Sequence, residues 1–233
     1  MVKIQNLAKS YPSGKGKLDV LKGASFGVHE GEMLGIIGQS GVGKTTLLHI
    51  IGTLDRPDNG SIYFKDKNIL KMKNRGIVRF RNEQVGFVFQ FYHLLPEFTA
   101  LENIMMPLLI RGYNRYMARE RATKILEDVG LFDRREHKPS ELSGGEQQRI
   151  AIGRSIVCRP KLLLADEPTG NLDASTSDRI TELLFSVARK ENLTGIIVTH
   201  NQNIVRNCDR ILLLHDGKLM EYPKPDVSEG EKE

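Results

Sequence analysis

The chain has no apolar run approaching the roughly 18 residues that a membrane helix needs, so none of its 233 residues reads as a bilayer span. Its opening, MVKIQNLAKS, lacks a charged stretch followed by an apolar one, so no secretory leader is expected. Cysteine is scarce. Cys158 and Cys208 form neither a disulfide framework nor a metal-ligand spacing, and read as small buried apolar residues. Together these absences favour the cytoplasm. Charge of one sign is also missing: 34 Lys and Arg against 29 Asp and Glu leave a formal +5. So mild an excess fits a nucleotide site and solubility as well as it fits nucleic acid or anionic lipid. With 39% hydrophobic and 27% charged residues the chain reads as an ordinary globular protein. Its length suits one large domain or a domain with a sizeable insertion.

What is present starts with Gly38–Thr45, GQSGVGKT, which fits G-x-x-x-x-G-K-[ST] at every fixed position. The apolar run Met33–Ile37 before it reads as a buried parallel strand, and Thr45–Ile51 after it as a helix. In that context Gly38, Gly41 and Gly43 let the backbone curl so that successive N–H groups point inward. The helix N-terminus adds partial positive charge. Gly38, Gln39, Ser40, Gly41, Val42, Gly43, Lys44, Thr45 and Thr46 are the candidate phosphate-binding residues. Lys44 is placed to reach the β- and γ-phosphates, and the Thr45 hydroxyl to ligate Mg²⁺. The loop reads as a nucleotide-binding site.

Ahead of it, Val2–Leu7 and Gly23–Val28 read as antiparallel strands, separated by turn-rich Pro12-Ser13-Gly14 and followed by His29-Glu30-Gly31-Glu32. Tyr11, expected in the first turn, is either an adenine-stacking ring or a half-buried tyrosine. Beyond the loop helix come the turn Arg56–Gly60 and the short strand Ser61–Phe64. Seven lysines and arginines then crowd into Lys65–Arg81, read either as a solvated helix face or as a face toward anionic headgroups. Val85–Phe89 is a fresh apolar strand ending at Gln90. From there to Lys161 the pattern turns helical, with Ala118, Ala122, Ile125, Leu126 and Val129 at helical spacing and Gly130 closing. A helical subdomain, about 91–160, is therefore expected inside an α/β core. The core resumes with Lys161–Asp166, helix Ser175–Glu191, strand Gly195–Val198 and a hairpin, Ile211–Glu221, turning at Asp216-Gly217. Residues 1–221 read as one domain and 222–233 as a loose tail.

The chemistry also needs a metal ligand and a group that acts on water. Leu162–Glu167, LLLADE, supplies both at the carboxyl end of a strand, where α/β sheets place their ligands. Asp166 is the candidate for holding Mg²⁺, and Glu167 for orienting and deprotonating the attacking water. His200, just past another strand, is placed to hydrogen-bond the γ-phosphate. Gln90 is the candidate for carrying a Mg²⁺-bound or attacking water.

One further stretch is more specific. Leu142–Arg149, LSGGEQQR, opens a helix with a serine hydroxyl, two glycine N–H groups and a positive helix end, which is the physics of a second phosphate site. It resembles the signature sequence of ATP-binding-cassette (ABC) proteins. Tyr11, GQSGVGKT, Gln90, LSGGEQQR, LLLADEP, Asn171-Leu172-Asp173 and His200 stand in that family's order over essentially all of residues 2–221. The one departure is Glu146, where the family most often has glutamine, while Ser143, Gly144 and Gly145 are intact.

The resemblance implies an α/β P-loop NTPase core with an antiparallel β subdomain and an inserted helical subdomain. It also implies an ATPase that works as a head-to-tail homodimer. In that arrangement each ATP lies between the phosphate loop of one chain and Ser143, Gly144 and Gly145 of the other, and Glu167 hydrolyses it. ABC proteins acting on DNA carry a very long coiled coil between loop and signature, which is absent here, and translation-type members usually carry two cassettes. A kinase of small molecules needs neither the signature nor His200. A single short cassette fits a transporter subunit docked under separate integral-membrane permeases, peripheral to the cytoplasmic face of the bacterial inner membrane, with no nucleic acid expected. The stretch Phe91–Ile110 and DEPTGNLD, Asp166–Asp173, are similar to the ATPase of the bacterial lipoprotein-releasing (Lol) transporter. Macrolide or peptide efflux and cell-division complexes are the alternative branch. The segment Phe91–Pro107 is the expected permease-docking surface, its apolar cluster Phe91, Leu94, Leu95, Pro96 and Phe98 reading either as a groove for a partner helix or as the seal of the helical subdomain.

Overall fold

The computed structural model describes residues 1–14 and 16–224. In chain order its elements are β1 (Val2–Ser13), β2 (Gly16–Val28), β3 (Met33–Ile37), α1 (Lys44–Ile51), β4 (Asn59–Phe64), β5 (Lys67–Asn68), α2 (Asn74–Gln84), β6 (Val85–Val88), α3 (Ala100–Ile110), α4 (Arg115–Asp128), α5 (Gly144–Ile156), β7 (Leu162–Asp166), α6 (Ala174–Lys190), β8 (Thr194–Val198), α7 (Gln202–Asn207), β9 (Arg210–His215) and β10 (Lys218–Tyr222). They fall into two compact units, one of residues 1–72 with 194 onward, the other of 73–193.

The first unit holds two sheets. Every residue of β8, and all of β3 but the half-buried Ile37, is buried. Such continuous apolar runs suit parallel strands covered on both faces. β3 pairs in parallel with β8 on one side and β9 on the other, and β10 pairs antiparallel with β9. The β9–β10 turn is Asp216-Gly217 with φ of 45° and 70°, as a two-residue hairpin with its native twist requires. The second sheet is antiparallel, in the order β2-β1-β4-β5.

One expectation fails here. Tyr11 is not in a turn: β1 continues to Ser13, placing Tyr11 opposite Leu18 and Pro12 opposite Lys17. The turn signals lose because β4 pairs with β1 only as far as Ala8. Beyond that point β1 is bonded on one side alone, where a proline without an N–H is tolerated.

In the second unit β6 and β7 form a parallel pair, with β7 buried at every residue. Glycine is required at Gly86, where an added Cβ would lie 2.4 Å from the Ser155 carbonyl oxygen. Helix α5 thereby packs directly on β6. A separate apolar core joins Leu101, Ile104, Leu108, Ala118, Ala122, Leu126 and Ile150 from α3, α4 and α5. Residues 100–156 contain helices and short connections and, among the described residues, no strand. Only residues 74–81 of the basic Lys65–Arg81 segment lie within a helix longer than one turn, α2. Lys65 and Asp66 form a turn at φ 45° and 59°, and Ile69–Lys71 a single 3-10 turn. The last nine residues of the tail expected from residue 222 lie outside the described residues, and Tyr222 closes β10.

Candidate nucleotide site

In the first unit the phosphate loop joins β3 to α1. Its glycines sit at φ 156° (Gly38), 76° (Gly41) and 108° (Gly43), backbone that L side chains avoid. At Gly38 and Gly43 the space is closed to them as well. A Cβ on Gly38 would meet the Leu214 carbonyl oxygen at 2.5 Å, and one on Gly43 would meet Val20 Cγ1 at 2.4 Å. Helix α1 starts at Lys44 with no side chain capping its first N–H groups. Uncapped N–H groups at the positive end of a helix are what an anion takes. Lys44 folds back over the loop, its Nζ donating to the carbonyls of Gly38 (2.8 Å) and Gln39 (3.1 Å). Gln39, Ser40, Gly41 and Thr45 are exposed. This cradle fits a polyphosphate.

Tyr11 joins the same unit from β1. Its hydroxyl donates to Asp55 Oδ2 at 2.7 Å, and Lys9 Nζ lies 4.9 Å from the ring centroid. Burial raises the Tyr11 phenol, the Asp55 bond raises it further, and a hydrogen bond with Thr46 opposes both. Tyr11 is thus anchored beside the first turn of α1. His200 is exposed immediately after β8, where the Thr199 N–H donates to the Ile36 carbonyl at 3.2 Å.

In the second unit Asp166 ends β7 and is buried at 8% exposure, while Glu167 takes φ 45°. A non-glycine residue held there stores strain, a feature that clusters at functional positions. Its carbonyl accepts from the Gly170 N–H at 3.0 Å, closing a turn. Gln90, two residues beyond β6, leans on that turn. Its Nε2 donates to Asn171 Oδ1 at 3.1 Å, and Asn171 Nδ2 donates back to the Gln90 carbonyl at 3.0 Å. Among the described residues no three His, Cys, Asp or Glu side chains cluster as a metal site. Mg²⁺ needs only one or two protein carboxylates beside phosphate oxygens, and the single carboxylate of Asp166 at the end of β7 fits that requirement.

Ser143 is the N-cap of α5. Its Oγ accepts from the Glu146 N–H at 3.3 Å, and Glu146 Oε2 accepts from the Ser143 N–H at 2.8 Å, a reciprocal capping box. The Ser143 N–H is the main cause holding the Glu146 carboxyl below its ordinary value, and Arg134 contributes. The unusual glutamate therefore completes the helix start. Gly144 lies against Tyr92, whose hydroxyl oxygen would be 2.7 Å from an added Cβ.

The profile of the "ABC transporter" family matches residues 21–170. The chain belongs to that family. It is 53% identical to a lipoprotein-releasing system ATP-binding protein LolD of Geobacter metallireducens, over 94% of this chain and 98% of that one. It is 49% identical to a protein of the same name from Legionella pneumophila, over 92% and 95%. Among solved structures, the dimeric post-hydrolysis state of the ATP-binding cassette MJ0796 bound to ADP and Pi superposes with a TM-score of 0.88. It is 37% identical and covers 96% of this chain and 98% of that one. The chain is thus an ABC-type P-loop ATPase, with the α/β class, antiparallel sheet and helical insertion of that fold.

Several contributors carried no motif. Asn103 is fully buried and accepts from the Leu95 N–H, while its amide donates to the carbonyls of Leu95, Phe98 and Thr99. It thereby shapes the loop after Gln90. Arg154 donates to the carbonyls of Tyr92 (2.8 Å) and His93 (2.6 Å) on the same loop. The only available signal was a polar residue at an otherwise apolar helical position. The apolar cluster of this loop divides. Leu94 packs on the helical core, while Phe91 (66%), Leu95 (37%) and Phe98 (36%) are exposed.

Proposed function

We propose that the chain powers a transporter that releases lipoproteins from the bacterial inner membrane, bound at its cytoplasmic face beneath separate permeases. The observation that carries this reading is the likeness to lipoprotein-releasing ATP-binding proteins along nearly the whole of both chains. Residues 1–221 act as one ATPase domain, with 91–160 as its helical subdomain.

Gly38–Thr46 wrap the phosphates with backbone N–H groups, Lys44 leaves its two carbonyls for the β- and γ-phosphate oxygens, and Tyr11 stacks on the adenine. Thr45, Asp166 and Gln90 would hold Mg²⁺, which would neutralise charge on the phosphates. Glu167 takes the proton of the attacking water, and His200 donates to the γ-phosphate. Ser143, Gly144 and Gly145 bind the γ-phosphate held by a second copy, so that ATP closes a symmetric homodimer and hydrolysis opens it. No nucleic acid takes part.

For the permease there is an apolar cavity of about 520 Å³ lined by Val78, Phe87, Leu95, Met106, Pro107 and Ile110. It suits an apolar helix of the partner, and it lies beside the loop that Gln90 opens.

The test is recovery of the tagged chain from membranes in mild detergent, with identification of the integral proteins that accompany it. Permeases whose complex raises ATP turnover when lipoprotein is supplied support the reading. Recovery of a macrolide or peptide exporter, with no response to lipoprotein, replaces it with the efflux branch.

A further inference from the structure

Gln148 lies on α5, little more than a turn past Ser143, and is fully buried. Its Nε2 donates to the Pro168 carbonyl at 2.5 Å and to the Phe89 carbonyl at 3.3 Å. Those carbonyls belong to the residue after Glu167 and the residue before Gln90. With two carbonyl oxygens as neighbours, only the NH₂ end of the amide can face them. Its Oε1 is buried and has no hydrogen-bond partner among the described residues. A residue chosen only to fill this space would not bring an unpaired oxygen with it.

We propose that Gln148 is a positioning residue for hydrolysis, fixing the loops that carry Gln90 and Glu167 to one another and to the signature helix. The inference rests on the roles given above to Gln90 and Glu167. Both loops leave adjacent parallel strands, β6 and β7, at the same end, and there the ladder bonds that aligned them stop. Past that point the Gln90–Asn171 pair joins them at an exposed level, and Gln148 joins them at a buried one. Because Gln148 and Ser143 ride on the same rigid helix, a shift of the helix start reaches both catalytic loops directly. Glu167 is held at φ 45°, and strained backbone keeps its place only where neighbours over-determine it. One of the anchors that do so is the Gln148 bond at Pro168.

The variants are Gln148→Met, which keeps the length and removes the donor, and Gln148→Asn, which keeps the donor but is too short to reach both carbonyls. Glu167→Gln is measured in parallel. For Gln148→Met we expect kcat to fall about 10²-fold, the scale of a displacement near 1 Å. KM for ATP should stay within about twofold, since ground-state binding by the phosphate loop is untouched. Gln148→Asn should fall between this variant and the wild type. A filler role would instead lower the melting temperature and leave kcat per folded molecule unchanged, and that result overturns the proposal. So does wild-type kcat in a folded Gln148→Asn if the methionine variant cannot be purified, and so does failure of both to fold, which makes Gln148 a core residue. Rapid turnover by Glu167→Gln would mean that the assignment of Glu167 has failed, whereas a dead Glu167→Gln beside a fully active Gln148→Met removes Gln148 alone.

Discussion

Ser143 does two jobs that one substitution can separate. In the free chain it caps α5, its Oγ accepting from the Glu146 N–H at 3.3 Å. In the proposed dimer it faces the partner's γ-phosphate. Aspartate is as good an N-cap as serine, while glycine costs only a few tenths of a kcal/mol. At roughly 2–4 °C per kcal/mol for a chain of this size, neither Ser143→Asp nor Ser143→Gly should move the melting temperature by more than about 2 °C. Their effects on turnover should differ widely. A carboxylate about 4 Å from a phosphate oxygen is repelled by about 4 kcal/mol at an effective dielectric of 20, which converts to about 10³-fold. Glycine loses one hydrogen bond to a charged group, about 1.5–3 kcal/mol, or roughly 10- to 100-fold. The assays are phosphate release, gel filtration with ATP, and binding of a fluorescent ATP analogue to the monomer. We expect Ser143→Asp to bind the analogue normally, to remain monomeric with ATP, and to turn over at least tenfold more slowly than Ser143→Gly. A folded Ser143→Asp that dimerises and hydrolyses like the wild type refutes the second phosphate site. Equal losses of monomer affinity and turnover would place Ser143 at its own chain's nucleotide.

Glu167→Gln should bind ATP, accumulate as the ATP-bound dimer on gel filtration, and lose about 10²- to 10⁴-fold in turnover, as removal of a general base does; a monomer, or wild-type turnover, contradicts its role. Leu95→Asp should keep its circular dichroism and its ATP-driven dimerisation, because Leu95 is 37% exposed, while permease recovery from membranes falls to background. Normal recovery removes Leu95 from the docking surface, and unfolding assigns it to packing. Asp173 caps α6 through the Thr176 N–H at 3.0 Å, and its carboxyl is lowered from 3.8 to about 2, chiefly by the Thr176 and Ser175 bonds. A depressed folded pKa means that the stabilisation is complete above about pH 4 and is lost as pH falls toward 2. The melting-temperature gap between wild type and Asp173→Asn should therefore shrink across that interval, and a constant gap would show that the charge contributes nothing.

What the sequence makes legible is whatever side-chain pattern or motif spells out. β3, β7 and β8 are near-continuous apolar runs and are buried as such runs must be. The Asp216-Gly217 turn and the glycines of the phosphate loop announce positive φ by residue type. The hairpin of β1 and β2 is harder to read, because Pro12 signals a turn while the pairing of β1 with β2 carries on past it to Ser13, leaving only Gly14 of that signal in the turn. Backbone carbonyls are not legible at all, and much of the second unit's organisation depends on them. Gln148 donates to the carbonyl of the residue before Gln90, and Arg154 and Asn103 to carbonyls of the loop after it, and no residue type marks which carbonyl will be met.

The loop after Gln90 shows why those unseen bonds matter. His93 is held at φ 46°, a conformation a histidine does not choose for itself. The Arg154 guanidinium takes the carbonyls of Tyr92 and His93 together. Burial weakens its hold on its proton, but an arginine stays charged even so, and a desolvated cation binds its carbonyl partners strongly. The strained turn and the half-buried arginine therefore stabilise each other. Arg154 lies on α5, as Gln148 does, and Ser143 caps it, so one helix is tied to the loop after Gln90 and to the loop of Glu167, and begins at the proposed second phosphate site. A push on exposed Phe91 or Leu95 is then not absorbed by a soft loop. In the proposed complex it would pass through Arg154 into α5, and through Gln148 on that helix to the loop of Glu167.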